Sequence, residues 1–251
     1  MNPYEIVSVD SDILIVNKLA PLPVLKDKSG DEDLQSLLKR EHPDFADFLE
    51  AAHRIDRRTS GIVVFARNIR ALQTLEKQFR TREIKKTYIA CLEKEPVPPA
   101  GLLRHLLVFD TRRNLSMARR LPGEGQAKID ETGSRKVDGV PAEMRYELLA
   151  RSERYFFVQA EPLTGRHHQI RAQFAAEGWP IKGDLKYGAR RSSPSGRIML
   201  HAWKIDFPHP HTRQPIHVTA EFPDDETLWG VFKELLATKP TSRDEKDPQL
   251  S

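Results

Sequence analysis

Short apolar runs separated by polar turns occur along most of this chain. The segment 5–18 carries apolar residues on both sides of a polar triplet at 10–12, which predicts two strands joined by a turn. The nearly continuous apolar run 61–66 predicts a buried strand. In the segment 69–80 the apolar residues Leu72, Leu75 and Phe79 recur at helical spacing, which predicts an amphipathic helix.

The rest of the pattern predicts further strands and helices. Strands are predicted over 87–92, 142–149, 155–161, 198–205 and 216–222, with short helices over 34–40 and 228–236. A longer helix is predicted over 164–177, with Thr164 as its N-cap and Gly178 at its end. The polar stretch 115–139 is predicted to be a loop or hairpin excursion. Strands mixed with scattered helices and long loops predict an α+β fold.

The length of the chain fits one large domain or two small ones. It has 251 residues, of which 39% are hydrophobic and 30% are charged, as in globular proteins. We predict one domain over 1–237. The tail 238–251 is polar and has no periodic apolar face, so it is predicted to be disordered.

Charge and cysteine content restrict the setting of the protein only loosely. The formal net charge is +4, which permits a polyanionic partner and fits an ordinary basic surface equally well. Cys91 is the only cysteine, so an intramolecular disulfide is impossible and a reducing compartment fits. The first ten residues lack a signal-peptide pattern, and no apolar stretch approaches the ~20 residues that span a bilayer. These features predict a cytoplasmic protein without a membrane partner.

Asp56 stands among His53, Arg54, Arg57 and Arg58, directly before the predicted buried strand. Neighbouring arginines favour the charged form of a carboxyl group. A permanently ionised carboxylate is a poor general acid but can serve as a nucleophile or as an electrostatic stabiliser. The alternative is a loop aspartate that only pairs with a neighbouring arginine.

The stretch 166–171 begins with a cluster of polar and basic side chains. On a helix, Ile170 and Phe174 share a face that would enter the core, whereas His167 and Arg171 share another face. Such a first turn is typical of an anion site, and equally of a solvated helix start. Adjacent histidines do not share a helix face and no ligand cluster stands at metal spacing, so no metal is predicted here or at 209–211.

Lys86 and Tyr88 are two apart in a predicted strand, so their side chains are expected on the same side. The pair suits a nucleotide, with phosphate on the lysine and a base stacked on the ring. The alternative is a half-buried tyrosine beside an exposed lysine. No P-loop or complete dinucleotide fingerprint occurs, so no nucleotide cofactor is predicted.

Taken together and in order, these stretches resemble the RluA-like family of pseudouridine synthases over roughly 13–222. The matching motifs are 53–61 (HRIDRRTSG), 86–88 (KTY), 165–171 (GRHHQIR), 183–188 (GDLKYG) and 200–202 (LHA). The resemblance implies the catalytic fold of that family, a mixed and largely antiparallel sheet with flanking helices and loops around a central cleft. The chain begins directly with strand-like sequence, so no separate N-terminal RNA-binding domain is expected. It also implies conversion of uridine to pseudouridine in structured ribosomal or transfer RNA by a monomer that needs no cofactor.

The resemblance assigns roles to individual residues. It implies that Asp56 is the nucleophile, that Arg171 pairs with it, and that Tyr88 stacks on the target base. Leu200 would pack in the same pocket, and Arg54 would fill the space left by the flipped uridine. Other motif residues are expected to contact the substrate: His53, Thr59, Lys86, Arg166, His168 and Gln169.

Several positions depart from the family pattern, and two other functions stay open. The family usually has Pro at Leu19, Leu at Ile55, and Thr or Ser at His167, and the Gly that often follows the Lys-x-Tyr strand is absent. The alternatives are a non-catalytic RNA-binding protein on the same fold and a hydrolase that uses Asp56. The basic stretches 112–136 and 190–197 are candidate RNA contacts, or else mobile surface loops.

Overall fold

The computed structural model describes residues 2–120, 139–193, 195–224 and 227–238. Strands in this part of the chain are β1 (Tyr4–Val9), β2 (Ile13–Lys18), β3 (Glu50–Ala51), β4 (Ser60–Ala66), β5 (Lys85–Leu92), β6 (Ala100–Asp110), β7 (Leu115–Arg120), β8 (Val140–Arg151), β9 (Phe156–Pro162), β10 (Leu200–Pro208) and β11 (Pro215–Thr219). The α-helices are α1 (Leu34–Glu41), α2 (Ile69–Arg80), α3 (Gln169–Ala176) and α4 (Thr227–Ala237).

All of these strands belong to one sheet. Its order is β1-β2-β4-β10-β5-β9-β8-β6-β7, with β3 paired to β4 and β11 paired to β10. The pairing of β4 with β10 is parallel, and the other strand pairs are antiparallel. The predicted α+β class, with a mixed and largely antiparallel sheet, is therefore confirmed.

Strands β2 and β4 each have a neighbouring strand on both sides and are buried along their whole length. Successive side chains of a strand point to opposite faces. Accordingly Val63 and Phe65 enter one hydrophobic core, whereas Ile62 and Val64 enter a second core with residues of α2. The continuous apolar run that predicted β4 thus reflects burial on both faces of the sheet.

The helix of the 164–177 segment begins later than predicted. It starts at Gln169, and His168, not Thr164, occupies the N-cap position. The Thr164 hydroxyl instead donates to the side-chain oxygen of Gln169, at 2.8 Å, and so stabilises the preceding turn. Ile170 and Phe174 enter the core as predicted, but His167 lies outside the helix.

Strand β6 has no counterpart among the predicted elements. Its apolar residues do not alternate with polar ones, because Leu106 and Leu107 are both buried and thus point to opposite faces. β6 pairs with β7, so the predicted hairpin excursion begins as a strand at Leu115. The rest of that excursion, 121–138, lies outside the described residues, as do Pro194 and the tail from 239 onwards.

Gly61 allows the parallel contact between β4 and β10. Its φ is +112°, and a Cβ at this position would lie only 2.2 Å from the carbonyl oxygen of Ala202. A side chain there would force the two strands apart. The amino ends of β4 and β10 therefore lie together, with Ser60 opposite His201.

No helix in the described part of the chain is long and apolar enough to cross a membrane. The domain boundary at 237 stays a prediction.

Candidate active site

Asp56 lies in the loop between β3 and β4, beside the joined amino ends of β4 and β10. Its backbone carbonyl accepts a hydrogen bond from the amide of Thr59, at 3.0 Å, which closes a tight turn before β4. The side chain of Asp56 is 25% exposed, so its carboxylate is accessible from outside while most of it is enclosed.

A fully buried lysine holds this loop from beneath. The Nζ of Lys18 donates to the backbone carbonyls of Thr59 at 2.6 Å, Leu19 at 3.2 Å and Arg57 at 3.3 Å. Burial lowers the pKa of Lys18 to about 7, while the negative charge of Asp56 opposes this lowering. Lys18 therefore ties β2 to the segment that directly follows Asp56.

Arg171 connects Asp56 to a second carboxylate. Its Nη1 donates to Oδ2 of Asp56 at 2.9 Å. Its Nε and Nη2 donate to the two carboxylate oxygens of Asp184, at 2.7 and 2.8 Å, in a bidentate pair. Burial alone would lower the pKa of Arg171, but the hydrogen bonds to Asp184 and the charge of Asp56 outweigh it and raise that pKa. Asp56 thus faces a permanent positive charge.

The aromatic ring of Tyr187 covers the same arginine. The guanidinium carbon of Arg171 lies 4.8 Å from the centroid of this ring, within cation–π range. Tyr187 belongs to the 183–188 motif, as Asp184 does, so this one turn supplies both the anion and the ring that hold Arg171. Gly183 makes the turn possible, because its φ is +86°.

Tyr88 and Leu200 lie on neighbouring strands of the same hydrophobic core, which also contains Ile55. They are 8% and 3% exposed. Burial raises the pKa of Tyr88, and the nearby charge of Asp56 adds to the effect, so the phenol stays protonated. An apolar floor with one aromatic ring next to a carboxylate suits a planar base.

His53 and Lys86 lie together against the ring of Phe79. Nε2 of His53 accepts a hydrogen bond from the amide of Val64 at 3.2 Å, and its ring centroid is 4.9 Å from that of Phe79. The Nζ of Lys86 lies 5.7 Å from the Phe79 ring centroid. Burial lowers the pKa of His53 to about 3, which keeps it neutral. In this arrangement His53 supports the loop that leads to Asp56.

The remaining expected contact residues divide into buried and exposed ones. Thr59 and Gln169 are buried, and the amide of Gln169 donates to the carbonyl of Glu143 and to the side chain of Gln173, each at 3.0 Å. These contacts stabilise the protein and leave little of Gln169 for RNA. Arg54 and Arg166 are exposed, and Nε of Arg166 donates to the carbonyl of Pro141 at 3.3 Å.

Sequence reasoning gave no role to Asp184 or Lys18. Gly183 and Asp184 indicated only a turn, and Lys18 stands in an apolar segment that predicted a strand. The available signal was the charge of Lys18 between apolar neighbours, because a buried lysine needs several hydrogen-bond acceptors. The contact between Asp184 and Arg171 joins residues 13 apart, and no local pattern marks it.

A second cluster of ionisable groups lies at the other end of β4, where Asp10, Asp12 and His209 approach one another. Nδ1 of His209 accepts from the amides of His211 and Thr212, both at 3.1 Å. Its Nε2 therefore carries the proton and donates to Oδ2 of Asp10 at 3.1 Å. A metal ion would need the lone pair that this proton occupies. The cluster is better described as a clamp between the β1–β2 and β10–β11 turns.

Comparison with known proteins gives consistent matches. Residues 12–176 match the family described as RNA pseudouridylate synthase. The chain is 32% identical over 245 residues to a ribosomal large subunit pseudouridine synthase C of Vibrio vulnificus, covering 93% of this chain and 70% of that one. It is also 32% identical over 215 residues to a dual-specificity RNA pseudouridine synthase RluA of Yersinia pestis, covering 84% and 96%.

The fold has solved counterparts as well. The structure of human RNA pseudouridylate synthase domain containing 4 superposes with a TM-score of 0.70 at 23% identity, over 87% of this chain and 88% of that one. This likeness shows the fold, and the family match and the two bacterial relatives show the family. The chain therefore belongs to the RluA-like family of RNA pseudouridine synthases, which are isomerases.

Proposed function

We propose that this enzyme converts specific uridines of ribosomal RNA to pseudouridine, with Asp56 as its nucleophilic carboxylate. The observation that supports this role of Asp56 most strongly is its hydrogen bond from Arg171, which is itself held by a bidentate pair with Asp184. One bacterial relative is named for the ribosomal large subunit, which supports ribosomal RNA, and the other is named for dual RNA specificity, which fits a second RNA class, for which we propose transfer RNA. We further propose that the enzyme acts as a monomer in the cytoplasm.

The reaction breaks the N1–C1′ bond, turns the uracil and joins C5 to C1′. The proton on C5 is lost and N1 gains one, so the product is an isomer of the substrate and no electrons are exchanged with another molecule. The target base must leave the stack, at a cost of a few kcal/mol. Stacking on Tyr88 offsets part of that cost, at roughly 1–3 kcal/mol per base.

Asp56 would act on C1′ of the flipped nucleotide. An ionised carboxylate either attacks this carbon directly or stabilises the positive charge that develops as uracil departs. Both routes need a carboxylate that stays charged and oriented, and Arg171 supplies both conditions. Exposed Arg54 belongs to the same loop and would fill the gap left in the RNA.

The hydrolase alternative requires a base that activates water beside Asp56. Among the described residues Asp184 is the carboxylate linked to this site, and both of its oxygens are bound by Arg171. Asp184 is also only 1% exposed, so it has no access to the water that a hydrolase would have to activate. The geometry therefore favours isomerisation over hydrolysis.

Asp56→Asn tests the proposal. We expect loss of at least ~10³-fold in turnover with RNA affinity nearly unchanged, because phosphate contacts dominate affinity. The measurement is pseudouridine mapping and single-turnover kinetics on unmodified large-subunit ribosomal RNA and transfer RNA transcripts. Asp47→Asn, at an exposed site, is the matched control. Full activity of the Asp56 variant would refute its role. If the wild-type protein itself binds these RNAs but forms no pseudouridine, the non-catalytic alternative is favoured.

A further inference from the structure

His168 places its ring beside the carboxylate of Asp56. Its Nε2 lies 3.8 Å from Oδ2 of Asp56, on the same oxygen that Arg171 binds. The backbone of His168 is left-handed, with φ at +51°, at the residue before α3. Such a conformation costs of order 1–3 kcal/mol for a residue other than glycine and persists only where the surroundings hold it. The contacts of the ring show what holds it.

Stacking on His167 holds one side of the His168 ring, and the hydroxyl group of Tyr187 holds one edge. The ring of His167 stacks on that of His168 with centroids 3.8 Å apart. His167 is itself held by Phe109, at 4.6 Å between centroids, and its Nδ1 lies 3.0 Å from the hydroxyl oxygen of Ser116. The phenol oxygen of Tyr187 lies 3.0 Å from Nδ1 of His168.

The hydrogen bonds of Tyr187 decide which nitrogen of His168 carries the proton. The amide of Ser116 donates to the Tyr187 oxygen at 3.1 Å, which occupies one lone pair. If Nδ1 of His168 also donated to that oxygen, the buried phenol hydrogen would have no acceptor within the part of the chain that the structure describes. Buried donors without partners cost about 1–3 kcal/mol. The phenol therefore donates to Nδ1, and the proton of His168 stands on Nε2.

The surroundings of Nε2 agree with this assignment. A proton on Nε2 points a positive N–H at the negative oxygen of Asp56, whereas the other tautomer would point a lone pair at it. Burial lowers the pKa of His168 to about 3, against the opposing effect of the Asp56 charge, which removes the doubly protonated form at neutral pH. His168 is therefore neutral at this pH, with its proton on Nε2.

We propose that His168 is a positioning residue whose Nε2–H, fixed by Tyr187 and Ser116, is the second donor that orients the carboxylate of Asp56. The proposal rests on Asp56 being the nucleophile. Arg171 and His168 both address Oδ2, and no hydrogen bond reaches Oδ1 from the residues that the structure describes. Oδ1 is thus the oxygen left to meet C1′. The 3.8 Å separation is too long for a hydrogen bond in the free protein, so the proposal requires the two groups to move closer in the complex with RNA.

The first test compares His168→Leu with His168→Gln in single-turnover assays on an unmodified large-subunit ribosomal RNA transcript. Leucine removes the donor, so we expect the rate at saturating enzyme to fall about tenfold or more while the dissociation constant for that RNA stays within about twofold. Glutamine keeps an N–H near the Nε2 position and should recover part of the loss. His211→Leu, a 79% exposed histidine away from the site, is the control.

Tyr187→Phe tests the relay itself. It removes the phenol hydroxyl that fixes the tautomer of His168, so the single-turnover rate should fall in the wild-type background. The rate should fall much less in the His168→Gln background, because glutamine has no tautomer to fix. Equal effects in both backgrounds would overturn the relay. An unchanged rate in His168→Leu, or a loss explained by weaker RNA binding, would overturn the positioning role.

A readout that needs no activity separates this proposal from the proposed function. Nitrogen-15 NMR of histidine-labelled protein, with His168 assigned through its Gln variant, should show a protonated Nε2 and a bare Nδ1. The opposite tautomer would refute the inference even if Asp56→Asn is inactive. Conversely, full activity of Asp56→Asn would refute the proposed nucleophile while the NMR result could still stand.

Discussion

At the scale of single residues, the site depends on one guanidinium shared between two carboxylates. Asp184 is 1% exposed and binds Arg171 through two hydrogen bonds, whereas Asp56 receives one and stays 25% exposed. The two anions therefore have different tasks. Asp184 neutralises and orients the buried cation, and Asp56 stays accessible, as the proposed nucleophile must. A buried arginine without such a partner would be costly, because its desolvation would go uncompensated.

We predict that Asp184→Asn damages both stability and catalysis. The amide keeps the size of the side chain but removes the charge and one of its two acceptor oxygens, so Arg171 loses most of its anchor. The free energy of unfolding should fall by roughly 3–5 kcal/mol, in line with other broken buried pairs. Urea denaturation and single-turnover rates measure the two effects. Asp47→Asn again serves as the control, and a variant as stable and active as the wild type would show that Arg171 is held in another way.

At the scale of elements, the close parallel contact of β4 and β10 sets the position of the site. The loop carrying Asp56 runs directly into β4, and Leu200 begins β10. Because the two strands start side by side, the loop that carries Asp56 and Leu200 are brought to the same end of the sheet. Arg171 reaches this end from α3. The contact needs a residue without a side chain at position 61.

We predict that Gly61→Ala separates these two strands. The added Cβ would meet backbone atoms of Ala202 at 2.2 and 2.6 Å, and the φ of +112° is unfavourable for alanine. Overpacking and backbone strain together should cost about 2–5 kcal/mol of unfolding free energy. Gly178→Ala, at a φ of +81° with open space around it, isolates the strain and should cost about 1 kcal/mol. Equal losses in the two variants would contradict the close-contact explanation.

At the scale of the whole molecule, buried histidines link stability to pH. His201 is fully buried, with Nδ1 at 2.8 Å from the hydroxyl oxygen of Ser60. Burial lowers the pKa of His201 and of His53 to about 3, below the ~6.5 of an unfolded chain. Between these values the unfolded chain binds more protons than the folded one. Stability is therefore complete above about pH 6.5 and is lost as the pH falls towards 3.

We predict that the free energy of unfolding falls by about 3–4 kcal/mol per pH unit between pH 6 and pH 4, since His53, His168 and His201, each with its pKa lowered to about 3, contribute up to ~1.4 each. Urea denaturation at several pH values measures the slope. His201→Asn keeps a group that can bond to Ser60 and removes one titrating site, so its slope should be smaller by about 1.4 kcal/mol per unit. An unchanged slope would exclude His201 as a source of the acid sensitivity.

The charge of the whole molecule is modest, so RNA binding must depend on local cations. Arg112 and Arg113 are exposed in the turn between β6 and β7, and β7 packs on α3 next to Arg171. Arg70 and Lys77 lie on α2, which packs on the other face of the sheet. The pair in the β6–β7 turn and the pair on α2 thus carry the same charge but lie on different parts of the molecule.

We predict that reversing both charges at Arg112 and Arg113 weakens binding to the ribosomal RNA transcript and lowers the salt dependence of log Kd by about 1–2. The same reversal at Arg70 and Lys77 should change neither quantity. The measurement is filter binding at several salt concentrations. An identical slope in both double variants would remove the β6–β7 turn from the RNA interface.

The sequence by itself determined the fold class, most of the strands and the identity of Asp56, Arg171 and Tyr88 as candidates, because these depend on local periodicity and on motifs read along the chain. It placed the start of α3 wrongly at Thr164, because the hydrogen bond between the side chains of Thr164 and Gln169 leaves no periodic signal in the sequence. It missed β6 because a strand buried on both faces has no alternation of apolar and polar residues. It also gave no role to Lys18, Asp184 or Tyr187.

Only the tertiary structure decided how those candidates act. Lys18 supports the Asp56 loop from 38 residues away in sequence, Arg171 meets Asp56 across 115 residues, and Ser116 fixes Tyr187 across 71. Contacts of this kind form only when chain segments far apart in sequence pack together. The state of a carboxylate depends on the charges and donors around it in space, so only the folded chain shows what surrounds Asp56.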